Sequence, residues 1–436
     1  MSVTRVDDST YASHISVEIH HLYHFIPGVF RPDNGQLPGL YAQWKRCLAI
    51  VDYSVYDLYA VAIGEHFEAH GVTVTLKRAY VSEDRKSMET ALEFCQWMTD
   101  FELVRREPVL VIGGGLLTDV AGFACSIYRR STPYIRVPTT LIGLIDASVS
   151  NRVAVNWNGL KNRIGAFYEP LHTIFDPTFL GTLPEREIRN GLAEILKITS
   201  CTHLETFELL ERYGKQLIAS QFGQLSSEDC SADSASEVKQ HINSKEMKEI
   251  ADKVIRQAIR CVLDAEVGNS REKDLNRVMY FGHTWSPNLE LAVKPPMLHG
   301  HAVSVDMCYS AALALHLGHL SEAAHDRLLR LLADLGLALN HPEFTLGLLR
   351  EGTANTVATR GGKLRAPIPT ATLGTYVILQ EVDDKTLEEA WHIHQRVVAG
   401  YPRQGLGVET TVDLRRSSGL DGCEGGITDF LPSSRL

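Results

Sequence analysis

Residues 108–168 read PVLVIGGGLLTDVAGFACSIYRRSTPYIRVPTTLIGLIDASVSNRVAVNWNGLKNRIGAFY. Pro108 to Ile112 is an uninterrupted apolar run, which predicts a strand buried on both faces. It leads straight into Gly113, Gly114 and Gly115, and the spacing from Thr118 to Tyr128 predicts an amphipathic helix. Glycines let a backbone approach a bulky anion closely, and a helix N-terminus presents unpaired N–H groups to it. That arrangement suits a nucleotide pyrophosphate. It is not GxGxxG, and a glycine turn after a strand is by itself only a turn.

Working outward, Arg46 to Asp52 and Val72 to Tyr80 read as further strands. Helical spacing falls between them at Leu58 to His70 and after them at Lys86 to Met98. Strands alternating with helices predict an α/β domain with a Rossmann-like parallel sheet, covered on both faces. Such sheets bind ligands at the carboxyl ends of their strands, where the glycine turn lies. Residues 1 to about 40 predict only an irregular or short β lead-in. From Leu183 the texture changes to long helical patterns: Ile188 to Ile198, Thr202 to Ile218, Ala251 to Ala265, Ala302 to Leu317 and Glu322 to Leu335. A short β-like run at Leu364 to Leu379 and a closing helix at Lys385 to Ala399 follow. The expected division is a nucleotide-binding α/β domain over 1–182, a mainly α-helical metal and substrate domain over 183–402, and a flexible tail over 403–436. The small, polar stretch LSSEDCSADSAS at 225–236 reads as a surface loop.

The chain of 436 residues has a net charge of −10, with 44% hydrophobic and 22% charged residues. These are ordinary values for a globular protein. No basic stripe points to nucleic acid and no polybasic run to a membrane surface. No apolar run is long enough to span a bilayer, and MSVTRVDDSTYASH has no signal-like apolar core. The eight cysteines include no CxxC pair and read as reduced thiols of a cytoplasmic protein.

Several motifs stand in a fixed order. After the glycines come Asp119, Gly122-Phe123, Tyr128-Arg129-Arg130, Val137-Pro138-Thr139-Thr140-Leu141, Asp146 and Lys161-Asn162. NGLAEILK (190–197), FGHT (281–284) and LHG (298–300) follow. Over roughly residues 40 to 405 this order resembles the dehydroquinate synthase superfamily, the sugar phosphate cyclases. The resemblance implies NAD and a divalent metal, Zn2+ or Co2+. It implies Glu194, His283 and His299 as metal ligands. One carboxylate and two imidazoles suit a catalytic zinc, because they leave positions open for substrate oxygens. His301, close by in sequence, is expected to have no ligand role. Asp52, Glu83, Lys86, Gly114, Gly115, Asp119, Thr139, Thr140 and Lys161 would surround NAD, the carboxylates favouring it over NADP by binding ribose hydroxyls. Asp146, Lys197, Lys161, Asn162, Arg152 and Arg130 would meet a sugar phosphate substrate. Arg130 would do so across the interface of a homodimer.

Departures from the dehydroquinate synthase pattern narrow the expectation. Asn276, Tyr280 and Pro287 stand where that enzyme has an arginine, an asparagine and a second histidine. Losing the arginine argues against a carboxylate-bearing substrate. FGHTWSP instead resembles the sedoheptulose 7-phosphate cyclases. Among those, LIGLIDASV (141–149), LKNR (160–163), YPRQGLG (401–407) and Thr359 look more like the demethyl-4-deoxygadusol synthases than the 2-epi-5-epi-valiolone synthases. Tyr280 matches neither, since those carry alanine and aspartate there. Arg152 ends a stretch where relatives carry a glycine-containing run ending in lysine, and it keeps the charge without the geometry. The expected reaction is conversion of sedoheptulose 7-phosphate to demethyl-4-deoxygadusol with loss of phosphate, in mycosporine- and gadusol-type biosynthesis. The alternatives are a valiolone-type or other C7-cyclitol synthase, a metal-dependent polyol dehydrogenase of the same fold, and a non-catalytic relative. The intact ligand set argues against the last.

Overall fold

The computed structural model describes residues 2–225, save positions 8 and 17, and residues 244–412. A small antiparallel pair, β1 (Ser2–Arg5) and β2 (Tyr11–His14), precedes β3 (Leu22–Phe25) and the single turn α1 (Gln36–Gly39). Then β4 (Arg46–Asp52), α2 (Tyr53–Ala69), β5 (Thr73–Ala79), α3 (Met88–Asp100), β6 (Val109–Gly113), α4 (Gly115–Ile127) and β7 (Tyr134–Pro138) alternate. An antiparallel hairpin, β8 (Arg152–Trp157) and β9 (Leu160–Phe167), comes next, followed by β10 (His172–Phe175). Six strands form one parallel sheet in the order β3-β10-β7-β6-β4-β5. The expected parallel sheet is thus present, and the lead-in segment supplies one of its edges.

The unbroken apolar strands follow from burial on both faces. Leu48 and Ile50 of β4 pack with Phe94, Met98, Val120 and Phe123 of α3 and α4. Ala49 and Val51, pointing the other way, pack with Ile63 and Phe67 of α2. Helix α2 begins five residues before its apolar spacing, because Asp52 caps it by accepting the N–H of Ser54 at 3.0 Å. Helix α4 also starts early, directly at Gly115, with Gly114 as its N-cap and no side-chain cap.

The second half is helical: α5 (Glu185–Thr202), α6 (Leu204–Ala219), α7 (Ser244–Glu266), α8 (Ser286–Ala292), α9 (His299–His316), α10 (Glu322–Asp334), α11 (Leu346–Thr359) and α12 (Asp384–Val398). A hairpin of β11 (Ala366–Pro369) and β12 (Tyr376–Leu379) lies between the last two helices. At the centre are α5, buried without a break from Asn190 to Cys201, and α9, buried from Gly300 to Ala314. Leu141, Leu144 and Ile145, from the loop after β7, join the same cluster as Leu192, Ile195 and Leu196 of α5. The carboxyl edge of the sheet therefore meets α5 directly. No helix among the described residues is long and apolar enough to cross a membrane.

Two expectations need correction. Helix α11 was not anticipated. The segment from 403 is not a free tail over its described part, because backbone bonds pin it to the helical half. Gly405 O accepts from Leu339 N, Val408 N donates to Gly336 O, and Thr410 O accepts from Leu298 N. Residues 413–436, and 226–236 of the polar loop, lie outside the described residues.

Candidate active site

Helix α5 carries Glu194 and Lys197 on one face, three residues apart. His299 opens α9, and His283 lies in the loop before α8. What brings these elements together is Gly300. Its N–H donates to Asn190 Oδ1 at 2.6 Å, and a Cβ there would stand 2.1 Å from the Asn190 carbonyl oxygen. Helix α9 can press this closely onto α5 only where no side chain intervenes. Glu194 Oε1 then lies 3.2 Å from His299 Nε2 and 3.7 Å from His283 Nε2. One donor atom from each of the three side chains falls within 4.8 Å of the others. Oε2 faces the Lys197 ammonium, while Oε1 is buried without an aligned hydrogen bond. A buried carboxylate oxygen left in this way, with two imidazole nitrogens converging on it, fits a divalent cation held by one oxygen and two nitrogens. Among the described residues this is the one cluster of His, Cys, Asp and Glu with such spacing.

Electrostatics sharpen the site. Burial opposes the charge of Glu194, but Lys197 and the two histidines outweigh it and hold the carboxyl well below its usual range. Lys197 is itself buried, with its Nζ 2.5 Å from Glu194 Oε2 and 3.7 Å from Asp146 Oδ2. Burial, reinforced by the charge of Glu194, pushes Asp146 up against the pull of Lys197. Asp146 rides on a π-helical turn, Gly143–Ala147, and its Oδ1 has no hydrogen-bond partner. The two imidazoles differ. Burial and Lys197 push His283 down to about 3. Burial opposes protonation of His299 too, but Glu290 and Glu194 overcome it and push it up to about 10.

The loop bearing His283 is clamped from two sides. Asp306 of α9 accepts the N–H groups of Thr284, Trp285 and Ser286. Helix α11 holds the other side. Thr356 Oγ1 donates to Thr284 O at 3.0 Å, Arg360, just past its end, donates from Nη2 to His283 O at 2.9 Å, and Thr353 Oγ1 accepts from the Trp285 indole at 3.0 Å. The Arg360 guanidinium also lies 3.7 Å over the Tyr280 ring, and Arg277 lies 5.2 Å from the same ring. Tyr280 is therefore set between two cations beside the loop that carries His283. Glu290, Asp306, Arg277 and Arg360 were not anticipated. No local pattern separates them from surface charges, and the partners of Arg360 and Asp306 in the His283 loop lie 20 or more residues away.

On the nucleotide side, Gly113, Gly114 and Gly115 are closely packed. A Cβ on Gly113 would meet Asp52 Cβ at 2.9 Å, one on Gly114 would meet Thr140 Cγ2 at 3.0 Å, and one on Gly115 would meet Ala147 Cβ at 3.1 Å. Asp52, the glycines, Thr140 and the Asp146 turn thus share the carboxyl edge of the sheet. Thr139 N donates to Gly113 O at 3.1 Å. Lys86 Nζ and Asp119 Oδ2 pair at 2.6 Å, and Glu83 Oε1 accepts from Asn156 of the β8–β9 hairpin at 2.9 Å. Lys161 sits between Glu290, at 2.5 Å, and Glu83, at 3.5 Å.

Arg130 is exposed past the far end of α4, about 20 Å along that helix from the glycine turn. Asn162 is exposed beside the hairpin turn. Thr359 turns its hydroxyl back onto the carbonyls of Asn355 and Thr356. Arg152 does reach the site, since its charge acts on both Asp146 and Lys197, but its guanidinium is engaged by Glu266 at 2.8 Å and Glu272 at 3.0 Å, which Arg277 also contacts. Asn276 accepts from Gln380. His301 Nδ1 accepts from Ala338 N at 3.2 Å.

A Rossmann-like sheet whose glycine turn faces a Glu-His-His cluster on a helical half defines the class. The 3-dehydroquinate synthase N-terminal family matches residues 77–190 and its C-terminal counterpart matches 191–355, and the chain belongs to that family of enzymes. The chain is 44% identical over 385 residues to demethyl-4-deoxygadusol synthase of Trichormus variabilis, covering 88% of this chain and 90% of that one. It is 38% identical over 346 residues to 2-epi-5-epi-valiolone synthase of Streptomyces hygroscopicus subsp. jinggangensis, covering 79% of each. The solved structure of that organism's ValA, a 2-epi-5-epi-valiolone synthase with NAD+ and Zn2+ bound, superposes with a TM-score of 0.78 at 35% identity, covering 88% of this chain and 99% of that one.

Proposed function

We propose that this chain is a demethyl-4-deoxygadusol synthase, a phosphate-eliminating carbon–oxygen lyase acting on sedoheptulose 7-phosphate. The observation that carries this reading is the converged Glu194, His283 and His299 set in a chain so similar to the Trichormus enzyme. NAD+ and Zn2+ or Co2+ are the implied cofactors. When bound, NAD+ takes up and returns a hydride, and the metal polarises the oxygens of the reacting carbons.

The chain's own groups fit the remaining work. The open N–H groups at Gly114 and Gly115 suit the pyrophosphate, and Asp52 and Glu83 suit ribose hydroxyls. Lys197 offers a fixed, buried cation where negative charge would grow on a substrate oxygen. Asp146, with one oxygen unengaged and its proton affinity raised, suits proton transfer at the reacting carbons. The absence of a free arginine at Asn276 fits a substrate without a carboxylate. The position of Arg130 fits action on a partner's site in a homodimer of the cytoplasm, since it does not reach the site of its own protomer.

The test is incubation with sedoheptulose 7-phosphate, catalytic NAD+ and Zn2+ or Co2+. Phosphate release with an ultraviolet-absorbing conjugated enone is expected. Release with a non-absorbing cyclitol ketone would establish the second reading, a valiolone-type cyclase, which the likeness to ValA favours. Stoichiometric NADH without phosphate release would mean a polyol dehydrogenase.

A further inference from the structure

Behind His299 stands a second carboxylate. Glu290 of α8 places Oε1 3.0 Å from His299 Nδ1, while His299 Nε2 points at Glu194. Both ring nitrogens face a carboxylate; with a cation seated on the Glu194 side, the ring's one proton would stay on Nδ1 against Glu290 and leave the Nε2 lone pair for the metal. The other oxygen of Glu290 receives Lys161 Nζ at 2.5 Å. Lys161 comes from the opposite half of the molecule. It sits on β9 of the hairpin that packs against α4, and also lies 3.5 Å from Glu83. Only 5% of the Glu290 side chain is exposed. With one oxygen on the imidazole and the other on the ammonium, the carboxylate has no freedom to turn.

We infer that Glu290 is the positioning residue that fixes the tautomer and ring plane of His299, and that Lys161 holds Glu290 in place from the nucleotide side. Lys161 would then act through the metal ligand, across the seam between the halves, rather than by touching substrate. The chain Glu83–Lys161–Glu290–His299 also links the two cofactor sites. By thermodynamic reciprocity, whatever NAD+ does to metal affinity through it, the metal does to NAD+ affinity. The inference rests on the reading of Glu194, His283 and His299 as the metal set.

The test is Zn2+ affinity, measured by competition with a chromophoric chelator on metal-stripped full-length protein, together with the visible spectrum of the Co2+ form. Glu194→Gln checks the metal reading itself and should abolish tight binding. Glu290→Gln should lose about 10- to 100-fold in Zn2+ affinity and shift the Co2+ band. Lys161→Met should lose at least about fivefold and shift the band in the same direction. If Glu194→Gln loses the metal while Glu290→Gln binds Zn2+ as the wild type does, the inference falls and the site stands. If Glu194→Gln also binds normally, the metal reading falls first. Should Glu290→Gln fail to fold, Lys161→Met decides, since its side chain is partly exposed and its removal leaves no cavity in a core. Unchanged affinity and spectrum in that variant would overturn the inference.

Discussion

Gly300→Ala is the substitution that most directly probes how the fold makes the site. Its added methyl carbon would stand 2.1 Å from the Asn190 carbonyl oxygen and 2.8 Å from Asn190 Oδ1. Neither neighbour can yield cheaply, because both residues lie in continuously buried helix. The two helices must part by on the order of 1 Å to reach ordinary contact. That overpacking costs about 1–3 kcal/mol. Weakening the 2.6 Å bond from Gly300 N to Asn190 Oδ1 adds about 1 kcal/mol. Alanine's better helix propensity returns up to about 1 kcal/mol. The expected net loss is about 1–3 kcal/mol, read as a fall of about 1–3 °C in the melting temperature of the metal-free protein. The effect on metal should be larger. Asn190 is one turn from Glu194, and Gly300 adjoins His299, so the 3.2 Å approach of Glu194 to His299 opens with the helices. Zn2+ affinity should fall by about 10- to 100-fold, measured by chelator competition. Affinity within twofold of the wild type would refute the argument that this helix contact sets the ligand spacing.

Three further outcomes are expected. Glu194→Gln, of the same shape but uncharged, should fold and give a circular dichroism spectrum like the wild type's, yet show no metal-dependent activity; retained turnover would remove it from the site. Tyr280→Ala takes away the ring between Arg277 and Arg360, a loss of about 0.5–2 kcal/mol in cation–π contact, and should alter the product ratio or rate by ultraviolet and mass analysis; an unchanged product and rate would make the ring structural only. Burial pushes Asp306 up to about 6 against its three backbone donors and Ser310. Its raised value means that the folded state holds the proton more tightly, so this group's contribution is full below pH 3.8 and is lost as pH rises to about 6. Asp306→Asn should remove a slope of up to about 3 kcal/mol from the pH dependence of unfolding free energy in that window, and an unaltered slope in denaturant titrations would contradict it.

How much of this was legible in the sequence depends on what holds each part. Strands such as β4 and β6 are buried on both faces, so their apolar runs declare them. The β8–β9 hairpin carries a readable signal, Asn158-Gly159, with both residues at positive φ. Its strands alternate too weakly to be recognised, because much of β9 is exposed. Helix α11 buries only Leu349, Gly352 and Thr356, so no apolar stripe marks it, and its hydroxyls do the holding. The polar segment 403–412 looks free in sequence because backbone groups, invisible to composition, fasten it. At the site, Glu194, His283 and His299 are too far apart for spacing to pair them, and only the ordered motifs singled them out. Glu290 had no such help, as its lysine partner is 129 residues away.

The unbroken burial of α5 from Asn190 to Cys201 has a kinetic consequence. Amides in such a segment exchange with solvent only when the whole fold opens, so they should be among the slowest in hydrogen–deuterium exchange. Glu194 is therefore fixed for the lifetime of the folded state, with none of its side chain exposed, whereas His299 shows 36% of its side chain to solvent. The solvent path to this cluster therefore runs past the imidazole of His299 rather than past the carboxylate.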